Sequence, residues 1–125
     1  LHGIRQCMSS MDLGAWKAQI RKGAAELAVL AMLDQGECYG VELLEQIHSV
    51  GGLDLSEGSI YPLLNRLQKE GKIRGRWVED SDATHPRKYY RLTRDGSKLL
   101  AEMTAEWNRF ESGMRSILGE NVGHD

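Results

Sequence analysis

Between Leu55 and Gly96 the chain reads LSEGSIYPLLNRLQKEGKIRGRWVEDSDATHPRKYYRLTRDG, and its apolar periodicity changes once along the way. Ile60, Leu63, Leu64 and Leu67 recur at the spacing of one helix face. After Gly71 the pattern alternates. Ile73 and Trp77 share one strand face and Arg74 and Arg76 the other, while Tyr90 and Leu92 oppose Arg87, Tyr89 and Arg91. The connecting EDSDATHP is polar and closed by Pro86, as expected of a hairpin tip. Two strands alone are marginal, so this hairpin needs a helical layer to rest on. The pattern restricts the fold to a mainly α domain with a small β-hairpin.

The same stretch concentrates positive charge. From Asn65 to Arg94 there are nine Lys and Arg against four acids, in a chain whose net charge is −2. Between Gly23 and Asn65 there is no Lys or Arg and seven acids. Only one part of the surface can therefore face phosphate, which describes an oriented binding face. A groove-sized helix followed by a basic hairpin is the arrangement of a winged helix-turn-helix, with double-stranded DNA as the expected partner.

Composition excludes several alternatives. The longest apolar run, Leu27–Leu33, is far too short to span a bilayer, so no membrane role is expected. No secretory leader pattern is present, and a cytoplasmic location is the default. Two cysteines, Cys7 and Cys38, make no disulfide framework, and a redox role for Cys38 is the minor reading beside a partly buried thiol. His2, His48, His85 and His124 lie far apart, and no Cys/His pair has metal-ligand spacing. There is no Ser/His/acid set and no P-loop, so neither an enzyme nor a cofactor is expected.

The flanking segments complete the plan. Residues 1–11 show no periodicity and read as a flexible segment or the remnant of a leader or expression tag. Asp12 is placed to cap a short helix carrying Leu13, Trp16 and Ile20. After Gly23, AAELAVLAMLDQG forms a second helical stretch, buried on most sides and ended by Gly36. Glu37–Tyr39 reads as a tight connection. Gly40 opens the next helix, with Val41, Leu44 and Ile47 as its apolar stripe. Ser56 is the expected N-cap of the third helix of the domain, but Pro62 would then crowd the Gly58 carbonyl, and a start at Ser59 would avoid this. Thr93 caps a final helix whose apolar positions are Leu100, Met103, Trp107, Phe110, Met114 and Ile117. Their 3-4 alternation is a heptad seam, which a domain this small cannot cover. The seam is expected to meet its own copy in a homodimer; the competing reading is a helix of the chain's own core. Residues 12–93 are thus assigned to the winged helix-turn-helix, 94–118 to a C-terminal dimerisation helix, and 119–125 to a flexible tail.

With these elements assigned, the chain resembles the PadR-type transcriptional regulators, in the short form with one C-terminal dimerisation helix. The motifs that carry the resemblance are GAAELAVLAML, YGVELLEQI, SEGSIYPLLNRLQKEGKI and RKYYRLTRDG, covering Lys22 to about Leu118. The resemblance implies a homodimer and repression relieved by a small aromatic or drug-like effector. In that family the positions of Ser59, Tyr61, Arg66 and the RKYY stretch are associated with DNA.

Both arguments select candidate site residues. Ser59, Tyr61 and Asn65 lie at or near the recognition-helix N-terminus, where hydroxyls and amides hold phosphate and Asn65 can read a base edge. Arg66 and Lys69, with Arg87, Lys88 and Tyr89 of the RKYY stretch, track the DNA backbone; solvated helix faces are the plain alternative. Tyr90 and Trp77 read as core. For the effector, Trp107 stands mid-seam, flanked by Met103 and Phe110, with Ile20 and Leu27 as a wall from the N-terminal helices. Short-form relatives place a tryptophan there, and pairs of such rings stack a planar ligand; otherwise Trp107 only fills the interface. A rival reading of the whole chain is a winged-helix module that docks an acidic protein partner. The operator, expected to be near-palindromic, and the effector's identity are not written in the sequence.

Overall fold

The computed structural model describes residues 10–79 and 85–119. Most of the expected N-terminal segment, the wing tip and nearly all of the C-terminal tail lie outside the described residues.

The first helix, α1, runs unbroken from Ser10 to Asp34, in place of the two stretches expected. Gly23 does not divide it, because the strong helix formers Ala24, Ala25 and Leu27 carry the backbone past a residue that costs about 1 kcal/mol. Asp12 sits in the first turn, suited to the helix dipole, and not at the cap. Residues 12–20 are exposed, whereas Ala25, Val29, Leu30 and Leu33 are buried. Gly36, at φ +147°, ends the helix, with its N–H bonded back to the Leu33 carbonyl at 3.2 Å.

The connection after α1 also contains a strand. Cys38–Tyr39 forms β1, which pairs antiparallel with the later strand Arg87–Leu92 (β3), Cys38 opposite Tyr90. The helix α2, Gly40–His48, begins with the Tyr39 N–H donated to Glu42 Oε1 at 3.2 Å. It buries Gly40, Leu43 and Ile47 and leaves Val41 48% exposed, so the apolar stripe lies one residue off the expected line. Gly40 faces inward because a Cβ there would come within 3.3 Å of the Tyr61 ring.

The helix α3 spans Glu57–Lys69, with Ser56 at the N-cap, and it contains Pro62. The later start at Ser59 is therefore not adopted. Ser59 and Ile60 both donate to the Ser56 carbonyl at 3.0 Å, and the bond that Pro62 cannot make falls on exposed Gly58, where water can replace it. Ile60, Leu63, Leu64 and Leu67 are all buried, as the periodicity requires.

β2, Ile73–Val78, pairs with β3 in the register Ile73–Leu92 to Val78–Arg87, giving a three-stranded sheet of order β1-β3-β2. Ile73 and Tyr90 are buried, but Trp77 is 68% exposed and does not belong to the core. The last helix, α4, covers Arg94–Leu118 and buries only Gly96 and Leu100. The architecture is mainly helical with a small antiparallel sheet, a winged helix-turn-helix from which a long C-terminal helix departs.

The junction between α3 and α4 is tightly made. Thr93 Oγ1 accepts the Gly96 N–H at 3.0 Å, and the Thr93 N–H donates to the Lys72 carbonyl at 3.1 Å. The same hydroxyl donates toward the Gly71 and Lys72 carbonyls, 2.7 and 2.9 Å away.

Candidate nucleic-acid interface

Because α3 points Ile60, Leu63, Leu64 and Leu67 inward, its opposite face carries Ser59, Asn65, Arg66 and Lys69 into solvent. Tyr61 is half-buried against the core. The wing and α3 enclose an open cleft of about 770 Å³ lined by Tyr61 and Asn65 from α3, Val41 from α2, and Trp77, Arg87 and Lys88 from the sheet. Four of the expected contacts, Tyr61, Asn65, Arg87 and Lys88, thus meet at one place.

Others go elsewhere. Ser59 and Arg66 line a second cleft of about 670 Å³ with Arg21 and Lys22 of α1. Lys69 lies at the last residue of α3 and lines neither cleft. Tyr89 points to the other side of the sheet, its ring 5.6 Å from that of Tyr39 and 5.8 Å from the Arg76 guanidinium.

The cations differ in how they are held. Arg66 pairs with Glu26 at 3.3 Å and Glu70 at 3.2 Å, and the hydrogen bond to Glu26 is the main reason its pKa rises further. A phosphate reaching Arg66 must compete with two carboxylates. Arg76 grips Glu37 through two bonds of 2.9 and 2.6 Å, and that hydrogen bonding lowers the Glu37 pKa. Lys88, by contrast, holds its ammonium 5.5 Å from the Trp77 ring centre and 5.6 Å from that of Tyr90. The Arg87 guanidinium lies 4.8 Å over the Tyr39 ring. An ammonium that rests beside rings, as that of Lys88 does, keeps N–H groups available to an anion.

Trp77 and Val41 are site-lining residues that sequence reasoning places in the core instead. Strand alternation does put Trp77 on the face of Lys88, and that pairing is the signal that points to the cleft.

The effector candidates lie along α1 and α4. Leu27 and Met103 are half-buried against the core, Ile20 is 44% exposed, and Trp107 is 39% exposed with Phe110 6.1 Å away, centre to centre. Met114 and Ile117 continue this apolar line into solvent. In the single chain the line is open along its length.

Among the described residues, no helix is long and apolar enough to cross a membrane, and no group of three His, Cys, Asp or Glu is placed to hold a metal ion.

Comparison with known proteins agrees with this geometry. A PadR-like transcriptional regulator of Bacillus cereus is 38% identical, with a TM-score of 0.72 over 81% of this chain and 97% of that one. A PadR-family transcriptional regulator of Eggerthella lenta is 28% identical, with a TM-score of 0.72 over 95% and 98%. The transcriptional activator GvpE of Haloferax mediterranei is 39% identical over 67 residues, which are 54% of this chain and 31% of that protein. Residues 29–102 match the transcriptional regulator PadR-like family. That match spans more than half of the sequence, and the chain belongs to the PadR-like family of transcriptional regulators.

Proposed function

We propose that this regulator is a cytoplasmic homodimeric DNA-binding repressor, released by a small planar aromatic or drug-like ligand. Residues 12–93 bind duplex DNA and residues 94–118 pair the subunits. The observation that carries the DNA part is the convergence of Tyr61, Asn65, Arg87 and Lys88 on one cleft between α3 and the wing. Ser59, Arg66, Lys69 and Tyr89 extend the contact surface on either side. Two copies of α3 related by a two-fold axis reach successive major grooves, so the operator is near-palindromic, with half-sites about one helical turn apart. For pairing, the support is the exposed line Trp107, Phe110, Met114 and Ile117 on a helix that otherwise buries little. Trp107 is assigned to the effector with Met103, Phe110, Ile20 and Leu27 around it.

The similarity to an activator favours a second reading of the sign of regulation. One experiment addresses both: mobility shift and transcription from the gene's own upstream DNA, with and without a panel of planar aromatics. The repressor reading expects a shifted band, less transcript, and reversal of both by an aromatic. More transcript with the shifted band would make the protein an activator. Absence of any shift at low salt would remove the DNA reading.

A further inference from the structure

Trp77 is left unexplained by the packing. It lies on the inward-facing side of β2 in line with buried Ile73, yet 68% of it is exposed. A ring of this size in water leaves a large apolar area unburied. Its surroundings are specific. Lys88 stands directly across the strand pair, its ammonium within 5.6 Å of both the Trp77 and the Tyr90 ring centres. Both side chains form the wing wall of the cleft whose opposite wall is Tyr61 and Asn65.

We infer that this cleft takes one sugar–phosphate strand of duplex DNA, with the Trp77 ring packed on a deoxyribose and Lys88 on an adjacent phosphate. The inference rests on the DNA-binding reading above and adds to it an uncharged contact. A helix in the major groove and a hairpin at the neighbouring minor groove must straddle the backbone strand that separates the two grooves. The cleft is the space between those two elements. In a duplex the bases are stacked and paired, so this strand presents sugars and phosphates in alternation. An apolar ring beside an ammonium matches that alternation. Resting Lys88 beside two rings also restricts a side chain that otherwise loses much rotamer freedom on binding.

The two residues respond differently to salt, and random-sequence duplex DNA is a sufficient probe because the contact reads no base. Lys88→Ala is expected to weaken binding and to lower the slope of log affinity against log salt by about one, since one phosphate contact is gone. Trp77→Ala is expected to weaken binding roughly fivefold at every salt concentration with the slope unchanged, because a sugar contact releases no counterion. Trp77→Phe recovers part of the loss. Duplex DNA changes the tryptophan fluorescence of the wild-type protein, and most of that change is absent from Trp77→Phe. The exposed position of Trp77 means that both variants keep the wild-type circular dichroism and melting curve, which excludes misfolding as the cause. Wild-type affinity in Trp77→Ala overturns the inference, and so does a loss accompanied by a lower salt slope, which would make Trp77 only a support for Lys88. Either result leaves DNA binding itself intact. If the wild-type protein binds no duplex at low salt, the DNA reading and this inference fall together.

Discussion

At Gly96 the backbone passes so close to the end of α3 that an added Cβ would lie 1.9 Å from the Lys72 carbonyl oxygen. Backbone cannot swing aside as a side-chain end can, so Gly96→Ala should destabilise the protein by about 2–3 kcal/mol in urea denaturation. An unchanged midpoint would show that the junction yields. Cys38 offers a chemical test. Burial is the main reason its thiol pKa is raised, with Glu42 and Glu37 adding to the effect. The folded thiol keeps its proton where the unfolded one has lost it, so stability falls as pH rises through that alkaline range. In a Cys7→Ser background, alkylation at neutral pH should be slow and should track unfolding; rapid modification of the native protein would contradict this. Asn65→Ala should act on specific rather than random duplex, by ~1–3 kcal/mol for a good base contact. An unchanged ratio of specific to random affinity would end its readout role. Of these residues, Asn65, Thr93 and Lys88 are legible in the sequence from helix position and strand alternation. The engagement of Arg66 by Glu26, forty residues earlier, is not, because only the tertiary fold brings the two side chains together.

Among the elements, those with long periodic patterns are readable in the sequence and the short ones are not. α3 and α4 declare themselves through Ile60–Leu67 and Leu100–Ile117. β1 has two residues, too few for any alternation, and exists because β3 supplies partners for its backbone. α2 is recognisable, but Val41 passes for core because in nine residues a stripe can be drawn along either side of Leu43 and Leu44. Gly23 and Pro62 read as a break and an obstacle, and each is accommodated within a helix whose neighbours favour it. Gly23 lies exposed in α1 with nothing within 4 Å of an added Cβ. Gly23→Ala should therefore stabilise the protein by about 0.5–1 kcal/mol, read as a raised melting temperature. A lowered melting temperature would mean that the helix needs a bend at this point.

For the molecule as a whole, charge distribution is more informative than net charge: the basic stretch maps to the second half of α3 and the wing, and the acid-rich stretch runs from α1 through α2 to the start of α3. The apolar line on α4 is exposed in the single chain, and its pairing with a second copy is a proposal to be tested. If α4 pairs with its copy as proposed, replacing both Met103 and Phe110 with Asp should dissociate or unfold the dimer, since like charges cannot share a desolvated seam. Met103 also packs on the chain's own core, whereas Phe110 is 62% exposed, so Phe110→Asp alone separates the two outcomes. Sedimentation of a folded monomer would support pairing through α4, and a stable dimer of both variants would refute it. The stitching of Thr93 and Gly96 to Gly71 and Lys72 then acquires a mechanical meaning. It ties the first turn of α4 to the end of α3. Trp107 lies roughly 20 Å along this helix, and under the proposed effector reading a ligand that displaced it sideways would turn α4 as a lever about that junction. In the proposed dimer, the two copies of α3 would then turn in opposite senses and fall out of step with the grooves they are proposed to enter.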